Sequence, residues 1–99
     1  MNTLQKMNKN VDQASAFLSG LSNTHRLRIL CLLTDGEKNV TQLVQATGMA
    51  QTSVSQHLRK LKEEKIVSFR REHRTLYYFI SNQAAQEIMH ILYQHYCQK

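Results

Sequence analysis

Apolar and polar positions alternate at helical spacing through the first half of the chain. Apolar side chains recur three or four positions apart over residues 10–21, which predicts an amphipathic helix. Asn23 is a favourable N-cap residue before a second apolar run, which ends near Asp35. Asn39, followed three residues later by Gln42, forms a capping-box pattern. This pattern predicts that a third helix begins there.

A fourth helix is predicted over residues 51–64, after a break at Gly48. At about 100° per residue, Val54, Leu58 and Leu61 share one face, which we expect to point into the core. The polar side chains on the rest of this helix are Gln51, Thr52, Ser53, Ser55, Gln56, His57, Arg59 and Lys60. Ser55 and His57 lie on its flanks.

β-branched and aromatic residues dominate two short runs, 66–69 and 76–80, with the polar link 70–75 between them. They predict a hairpin, and Asn82 is the N-cap candidate of a last helix. The order is therefore helix, helix, helix, helix, hairpin, helix. We predict a mainly α fold with a small β-hairpin (α+β), a winged helix-turn-helix whose helix-turn-helix spans about 40–64 and whose wing spans about 66–80.

Composition is typical of a soluble globular protein, with 41% apolar and 20% charged residues. Without a proline or a low-complexity tract to mark a linker, residues 1–99 are expected to form a single domain. No apolar run approaches the length of a membrane span, and the N-terminus lacks the apolar segment of a secretory signal. We therefore expect a cytoplasmic protein whose two cysteines rest as thiols, with no membrane partner.

The whole chain has a net charge of +6, and its basic residues are concentrated in one segment. Seven of the 13 Lys and Arg residues lie between positions 59 and 74. Such a cluster is typical of a surface that binds phosphates. A solvated basic face is the alternative if the cluster is taken alone.

The predicted fourth helix has the chemistry of a DNA-reading helix. Gln can bond adenine with two hydrogen bonds and Arg can do so with guanine, while small hydroxyls permit close approach. Double-stranded operator DNA is thus the expected partner. The residues expected to contact bases or phosphates are Gln51, Thr52, Ser53, Ser55, Gln56, His57, Arg59 and Lys60, with Arg70, Arg71 and Arg74 at the hairpin tip.

Two other interpretations fit parts of this pattern. An ordinary amphipathic surface helix has the same stripe, and a winged-helix module that binds proteins through its terminal helices would need no DNA. The sequence contains no CxxC pair, phosphate-binding loop or hydrolytic triad, so we do not expect an enzyme.

The residues Leu27-Arg28-Ile29-Leu30, Val54-Ser55-Gln56-His57-Leu58 and the wing segment RREHRTLYY resemble the ArsR/SmtB family of bacterial winged-helix repressors. The resemblance implies a homodimer formed through the first and last helices, about 10–21 and 82–97, which leaves its operator when an inducer binds. Three positions depart from the family pattern. Ala50 stands where a Ser often caps the reading helix, and Lys65 and His73 stand where Gly is usual.

Many members of this family sense metals, but their ligand sets are not found here. The third helix begins Val40-Thr41-Gln42-Leu43 without a thiolate, and the last helix begins without an ionisable ligand. His90 and His95 are five positions apart and do not share a helix face. We expect no metal and no cofactor, and a metal-sensing repressor remains the alternative.

Cys31 and Cys97 are the remaining candidates for a sensor. Taken alone, Cys31 within an apolar run is most simply a small buried core residue, and Cys97 an incidental exposed thiol. Their placement resembles the sulfide- and persulfide-responsive branch of the family, the BigR-, SqrR- and HlyU-like regulators. That resemblance implies a dithiol switch, with a reactive sulfur species or an oxidant as inducer. Arg28, three residues from Cys31, is a candidate to help that thiol ionise.

Overall fold

The structure, a computed structural model, describes residues 2–97 and confirms the predicted order of helices and hairpin, with one short helix added at the start. The elements are α1 (Thr3–Met7), a 3₁₀ turn (Asn8–Asn10), α2 (Val11–Leu21), α3 (Thr24–Thr34), α4 (Val40–Thr47), α5 (Gln51–Glu63), β1 (Val67–Glu72), β2 (Thr75–Ile80) and α6 (Gln83–Tyr96). No helix among them is long and apolar enough to cross a membrane.

One core joins the helices to the base of the hairpin. Its buried residues are Leu21, Ile29, Leu30, Leu33, Leu43, Val54, Leu58, Leu61, Ile66, Val67, Ile80, Ala85 and Met89. Burial of each Leu, Ile or Val side chain stabilises a fold by about 1.5–3 kcal/mol. Because α5 contributes Val54, Leu58 and Leu61, the predicted inward face of this helix is confirmed.

Side-chain caps fix where three of the helices begin, as the sequence predicts. The Asn23 side chain accepts hydrogen bonds from the first turn of α3. Asn39 and Gln42 form the reciprocal capping box of α4, and the Asn82 side chain accepts from the Ala85 amide at the start of α6. These bonds satisfy amides that a helix cannot pair internally.

A partly buried arginine links the end of α2, the start of α3 and the end of α5. Arg26 Nη1 donates to the Gly20 carbonyl at 3.0 Å and to Glu64 Oε2 at 3.2 Å, and its side chain is only 12% exposed. A Cβ at position 20 would stand 2.9 Å from the same Glu64 oxygen. Glycine therefore leaves the room that this ion pair occupies.

The hairpin is antiparallel, with Val67 opposite Ile80 at its base and Glu72 opposite Thr75 at its tip. Lys38 and Tyr78 exchange backbone hydrogen bonds of 3.1 and 2.8 Å, so the segment before α4 lies against β2. This bridge attaches the hairpin to the element that opens the helix-turn-helix.

The strands are longer than the sequence predicts, which corrects the position of two arginines. β1 extends to Glu72 and β2 begins at Thr75, so the turn contains only His73 and Arg74. The expectation that Arg70 and Arg71 stand at the tip is wrong: both lie within β1. The strand pairing continues through the charged segment, where Arg70 lies opposite Tyr77 and Arg71 opposite Leu76.

The beginning of the chain also differs from the prediction. α1 was not predicted, because five residues show no apolar period, although Asn2 and Gln5 form a capping box that marks its start. The following long helix begins at Val11. Val11 and Leu18, placed on its apolar stripe, are exposed, so this stripe extends beyond the core.

Two non-glycine residues adopt left-handed backbone conformations. Lys65, between α5 and β1, has φ 63°, and His73, in the hairpin turn, has φ 57°. These are the two positions where the family usually has glycine, and both turns keep the left-handed backbone conformation that glycine would adopt there. Each costs about 1–2 kcal/mol relative to glycine.

Truncation of the α5 core face should be far more costly than truncation of its exposed face. We expect Leu58→Ala to lower the free energy of unfolding by about 2–5 kcal/mol, because Leu58 is fully buried. The neighbouring exposed residue Arg59 gives the control: Arg59→Ala should change the free energy of unfolding by about 0.5 kcal/mol or less. Urea titration measures both, and similar losses would contradict this orientation of α5.

Candidate nucleic-acid interface and thiol site

The tight turn between α4 and α5 positions the second helix of the pair. Gly48 closes α4 with φ 73°, and its amide donates to the Val44 carbonyl at 2.9 Å. Beyond Gly48 and its two chain neighbours, no atom of residues 2–97 lies within 4 Å of a Cβ built there, so the backbone conformation alone favours glycine. The Thr47 hydroxyl donates to the Leu43 carbonyl and accepts from the Met49 amide, which orders the turn.

The outer face of α5 carries the predicted polar side chains. Gln51, Thr52, Ser55, Gln56, Arg59 and Lys60 are exposed, and His57 is half-buried on the flank where it was predicted. Ser53 differs from the prediction: it is half-buried, whereas Ser55, predicted on the flank, is exposed. Within the described chain, no side chain caps the amides of the first turn, since Ala50 stands at the N-cap. An uncapped helix N-terminus offers N–H groups to an anion such as a phosphate.

A groove of about 760 Å³ lies between α5 and the hairpin. Its lining residues are Gln51, Thr52, Ser55, Gln56, Arg59, Lys62, Phe69 and Tyr78. Phe69 and Tyr78 pack edge to face with ring centroids 5.4 Å apart, and Lys62 Nζ lies 5.1 Å from the Phe69 centroid. Sequence reasoning missed these three residues, although the charge cluster contains Lys62 and the strand register pairs the two rings.

Arg70 is held by two carboxylates at the side of the hairpin. Its guanidinium bonds Glu37, which precedes α4, and Glu72 Oε2 at 2.9 Å, and it stacks on the Tyr77 ring at 4.7 Å. The hydrogen bond from Arg70 holds the pKa of Glu37 below its ordinary range. Arg71 and Arg74 are exposed. Arg74 lines a second depression with Asn39 and Thr41, at the start of α4.

His57 packs its ring near His25, with centroids 5.8 Å apart. Burial is the largest cause that lowers the pKa of His57, and the positive charge of Arg26 lowers this pKa further. His25 and Lys60 act in the same direction. The environment on this flank of α5 therefore favours the neutral imidazole.

Cys31 and Cys97 line one apolar cavity of about 540 Å³ between α3 and α6. Both thiols are free and exposed, so the expectation that Cys31 is a buried core residue is wrong. Cys31 lies on the face of α3 that α6 only partly covers, while Leu30 and Leu33 take the core positions. The two cysteines thus belong to one site, although they are far apart in sequence.

The surroundings of Cys31 oppose ionisation of its thiol. Burial raises the pKa of Cys31, and the nearby Cys97 and Asp35 raise it further. Arg28, the candidate helper from sequence, is not among the causes of this pKa shift. It lines a different cavity, on the other side of Cys31. The hypothesis that Arg28 activates this thiol is therefore not supported by the geometry.

A cluster of three or more His, Cys, Asp or Glu side chains suited to a metal ion does not occur within residues 2–97. His90 lies near the hairpin side of α6, in a depression with Leu33 and Phe79. His95 is exposed in the last turn of α6.

Comparison with known proteins places this geometry in a family context. Residues 23–68 match the family model described as bacterial regulatory protein, arsR family. Transcriptional activator HlyU of Vibrio cholerae is 36% identical over 95 residues, 96% of this chain and 88% of HlyU. The structure of its reduced form superposes with a TM-score of 0.89 and covers 95% of this chain and 99% of that one, at 35% identity.

Two further structures extend the comparison. The transcriptional repressor BigR of Xylella fastidiosa has a TM-score of 0.87 and 32% identity, covering 99% of this chain and 100% of BigR. The homodimeric winged helix-turn-helix DNA-binding domain of Mb0332 from Mycobacterium bovis has a TM-score of 0.79 and 31% identity, covering 99% of this chain and 88% of that domain. The predicted winged helix-turn-helix fold is confirmed.

Stability should fall as the pH drops below the ordinary histidine pKa, because the lowered pKa of His57 means that the unfolded chain takes up the proton first. The loss begins near pH 6.5 and continues down to the folded-state pKa. We expect His57→Gln to reduce the difference in Tm between about pH 7.5 and about pH 5.5. His95→Gln, at an exposed site, is the matched control, and equal effects of the two changes would refute this assignment.

Proposed function

We propose that this chain, which belongs to the arsR family of bacterial regulatory proteins, binds operator DNA as a homodimer and releases it when Cys31 and Cys97 are oxidised. It is a transcriptional regulator of that family. HlyU is named an activator and BigR a repressor. We propose repression by occupancy of the operator, as the simplest consequence of DNA binding.

The observation that carries the DNA-binding proposal is the exposed polar face of α5 beside the hairpin. In a helix-turn-helix, the N-terminal part of the second helix enters the major groove. Gln56 and Arg59 are the proposed base contacts, because both can form bidentate bonds with purines. Gln51, Thr52, Ser53 and Ser55 are proposed for close backbone or base contact. His57 and Lys60 flank them.

The hairpin supplies the proposed contacts outside the major groove. Arg71 and Arg74 are exposed and suited to phosphate or to the minor groove. Arg70 was predicted as a third contact, but in the free chain Glu37 and Glu72 already engage its guanidinium. We propose that these two carboxylates make Arg70 less available to DNA than Arg71 and Arg74.

The proposed dimer, built on the single domain of residues 1–99, would cover apolar side chains that the monomer exposes. These are Leu4, Met7, Val11, Leu18, Ile91, Tyr93 and Tyr96. They come from α1, α2 and α6, the terminal helices, and a patch of this kind marks an interaction surface. The related Mb0332 domain is described as homodimeric. Two reading helices related by a two-fold axis would contact successive major grooves.

The proposed switch acts across the α3–α6 contact. Oxidation removes two electrons and two protons from the thiols and joins them, directly or through added sulfur, while a reactive sulfur species or peroxide is reduced. A plain disulfide needs Cα atoms about 4.4–6.8 Å apart, and added sulfur would span more. A bond here constrains α6 relative to α3, and α6 belongs to the proposed dimer surface. The angle between the two reading helices would then change.

Truncation of the proposed base contacts should weaken operator binding without disturbing the dimer. We expect Gln56→Ala and Arg59→Ala each to cost about 1–3 kcal/mol, or roughly 5- to 150-fold in Kd. Fluorescence anisotropy with operator DNA measures the affinity, and light scattering measures the dimer. Gln13→Ala, at an exposed site on α2, is the control. Unchanged affinity in both α5 variants would instead favour a protein-interaction module.

Only the reduced protein should bind operator DNA tightly. We expect treatment with inorganic polysulfide to weaken binding by at least about tenfold, a typical allosteric coupling. Mass spectrometry should show a bond between Cys31 and Cys97, with or without extra sulfur. Cys31→Ser and Cys97→Ser should each bind DNA before and after treatment. Equal binding by reduced and treated wild type would remove the switch, and release on metal addition instead would favour the metal-sensing alternative.

A further inference from the structure

Cys31 lines two neighbouring cavities, and only one of them contains a cationic side chain. On one side is the apolar cavity that it shares with Cys97, whose walls include Leu27, Met89 and Leu92. On the other side is a more open depression of about 510 Å³, which contains Arg28. Since Cys31 is exposed, a reagent can approach its sulfur from either cavity.

The shared cavity has the size and polarity of a small-molecule site. At about 540 Å³ it lies within the range of 300–1,000 Å³ that is common for such sites. Tyr93 and Tyr96 extend the wall from α6 to the surface that the proposed dimer would cover, so this end of the cavity adjoins the dimer contact. Among residues 2–97, its polar lining groups are the two thiols, the hydroxyls of Thr34 and the two tyrosines, and the carboxylate of Asp35, which is the only one of them that ordinarily carries a charge.

The charge of this cavity discriminates between classes of thiol-reactive compound. No Lys, Arg or His of the described chain lines it, whereas Asp35 stands at the end of α3. An anionic reagent would lose water there and meet a like charge. Partial burial, Cys97 and Asp35 raise the pKa of the Cys31 thiol, in keeping with the charge of this cavity.

We infer that the cavity between α3 and α6 selects neutral, apolar sulfane-sulfur compounds of the dialkyl trisulfide class over anionic persulfides and polysulfides as the reagent that oxidises the Cys31–Cys97 pair. The inference rests on the proposed dithiol switch and specifies its inducer. The apolar walls hold the alkyl groups, and the two thiols at the same cavity meet the sulfur chain.

The chemistry balances in two displacements. The Cys31 thiolate attacks an outer sulfur of R–S–S–S–R, forms Cys31–S–S–R and releases R–S–S⁻. The Cys97 thiolate then attacks the Cys31 sulfur, forms the Cys31–Cys97 disulfide and releases R–S⁻. The two thiol protons end on the perthiol R–S–S–H and the thiol R–S–H. The protein loses two electrons, which the trisulfide gains.

The test compares the rates at which diallyl trisulfide, which is neutral, and glutathione trisulfide, which is anionic, modify Cys31 of the reduced full-length protein. Intact mass spectrometry gives each rate, and the same pair of rates for N-acetylcysteine amide corrects for intrinsic reactivity. We expect the corrected ratio to favour the neutral reagent by about tenfold. A corrected ratio near one, or one that favours the anion, would overturn the inference.

Variants locate the preference in this cavity. Asp35→Asn should bring the ratio towards one, and Leu92→Lys, which places a cation in the apolar wall, should bring it further in that direction. The ratio is insensitive to thiolate fraction, which affects both reagents equally. Arg28→Ala, in the other cavity, is the control and should leave the ratio unchanged. A loss of anion reactivity in Arg28→Ala alone would assign entry to that side and refute the inference.

Failure of the switch itself is separable from failure of this selectivity. In Cys97→Ser the first displacement still occurs, so the Cys31 ratio is measured without any disulfide or DNA. A retained neutral preference together with unchanged operator binding by the oxidised wild type would reject the proposed switch and leave the cavity's selectivity standing. Release of DNA by both reagents at equal corrected rates would support the proposed switch and reject the cavity's selectivity.

Discussion

Burial of one face of α5 is the constraint on which the rest of the structure depends. Val54, Leu58 and Leu61 are completely enclosed, so the helix has one rotational setting about its axis. That setting turns Gln56 and Arg59 to the outside. A helix that binds DNA cannot rely on its polar face for stability, because that face must stay available. The apolar stripe therefore does two things at once: it holds the fold together and it orients the proposed reading surface.

The hairpin is oriented by contacts with the helix-turn-helix. The backbone bridge between Lys38 and Tyr78 joins β2 to the segment before α4, and the Glu37–Arg70 ion pair lies beside it. Phe69 closes the groove against Lys62 of α5. Exposed ion pairs contribute little stability individually, so the bridge and the ring contacts carry most of the attachment. Together they hold the hairpin, with its proposed phosphate contacts, in a fixed position relative to α5, with its proposed base contacts.

The sequence predicted the elements whose local signals agree with the packing. The Asn23, Asn39 and Asn82 caps and the α5 stripe were all readable, because capping and periodicity depend on neighbouring residues. Cys31 was misjudged for the opposite reason. An apolar run around a cysteine does not reveal which side of α3 the last helix covers, since that depends on packing between distant segments.

In the candidate site, too, features set by local sequence were predictable, whereas features set by packing between distant segments were not. The polar residues of α5 follow from helix geometry alone, and their exposure was predictable. Arg70 could be placed near the hairpin, but its engagement by Glu37 depends on how the segment before α4 meets β1. The shared cavity of Cys31 and Cys97 likewise depends on the α3–α6 contact. Resemblance to a family pointed to these thiols, whereas their spacing in sequence did not.

Selection of bound duplexes from a random DNA library tests the central claim most directly, because it needs no knowledge of the operator. The reduced protein should enrich a pseudo-palindromic sequence whose two half-sites lie about one helical turn, roughly 10 base pairs, apart or a multiple of it. Substitution of Gln56 or Arg59 should relax the preference at particular bases within each half-site. Recovery of no common sequence at modest salt would contradict the account.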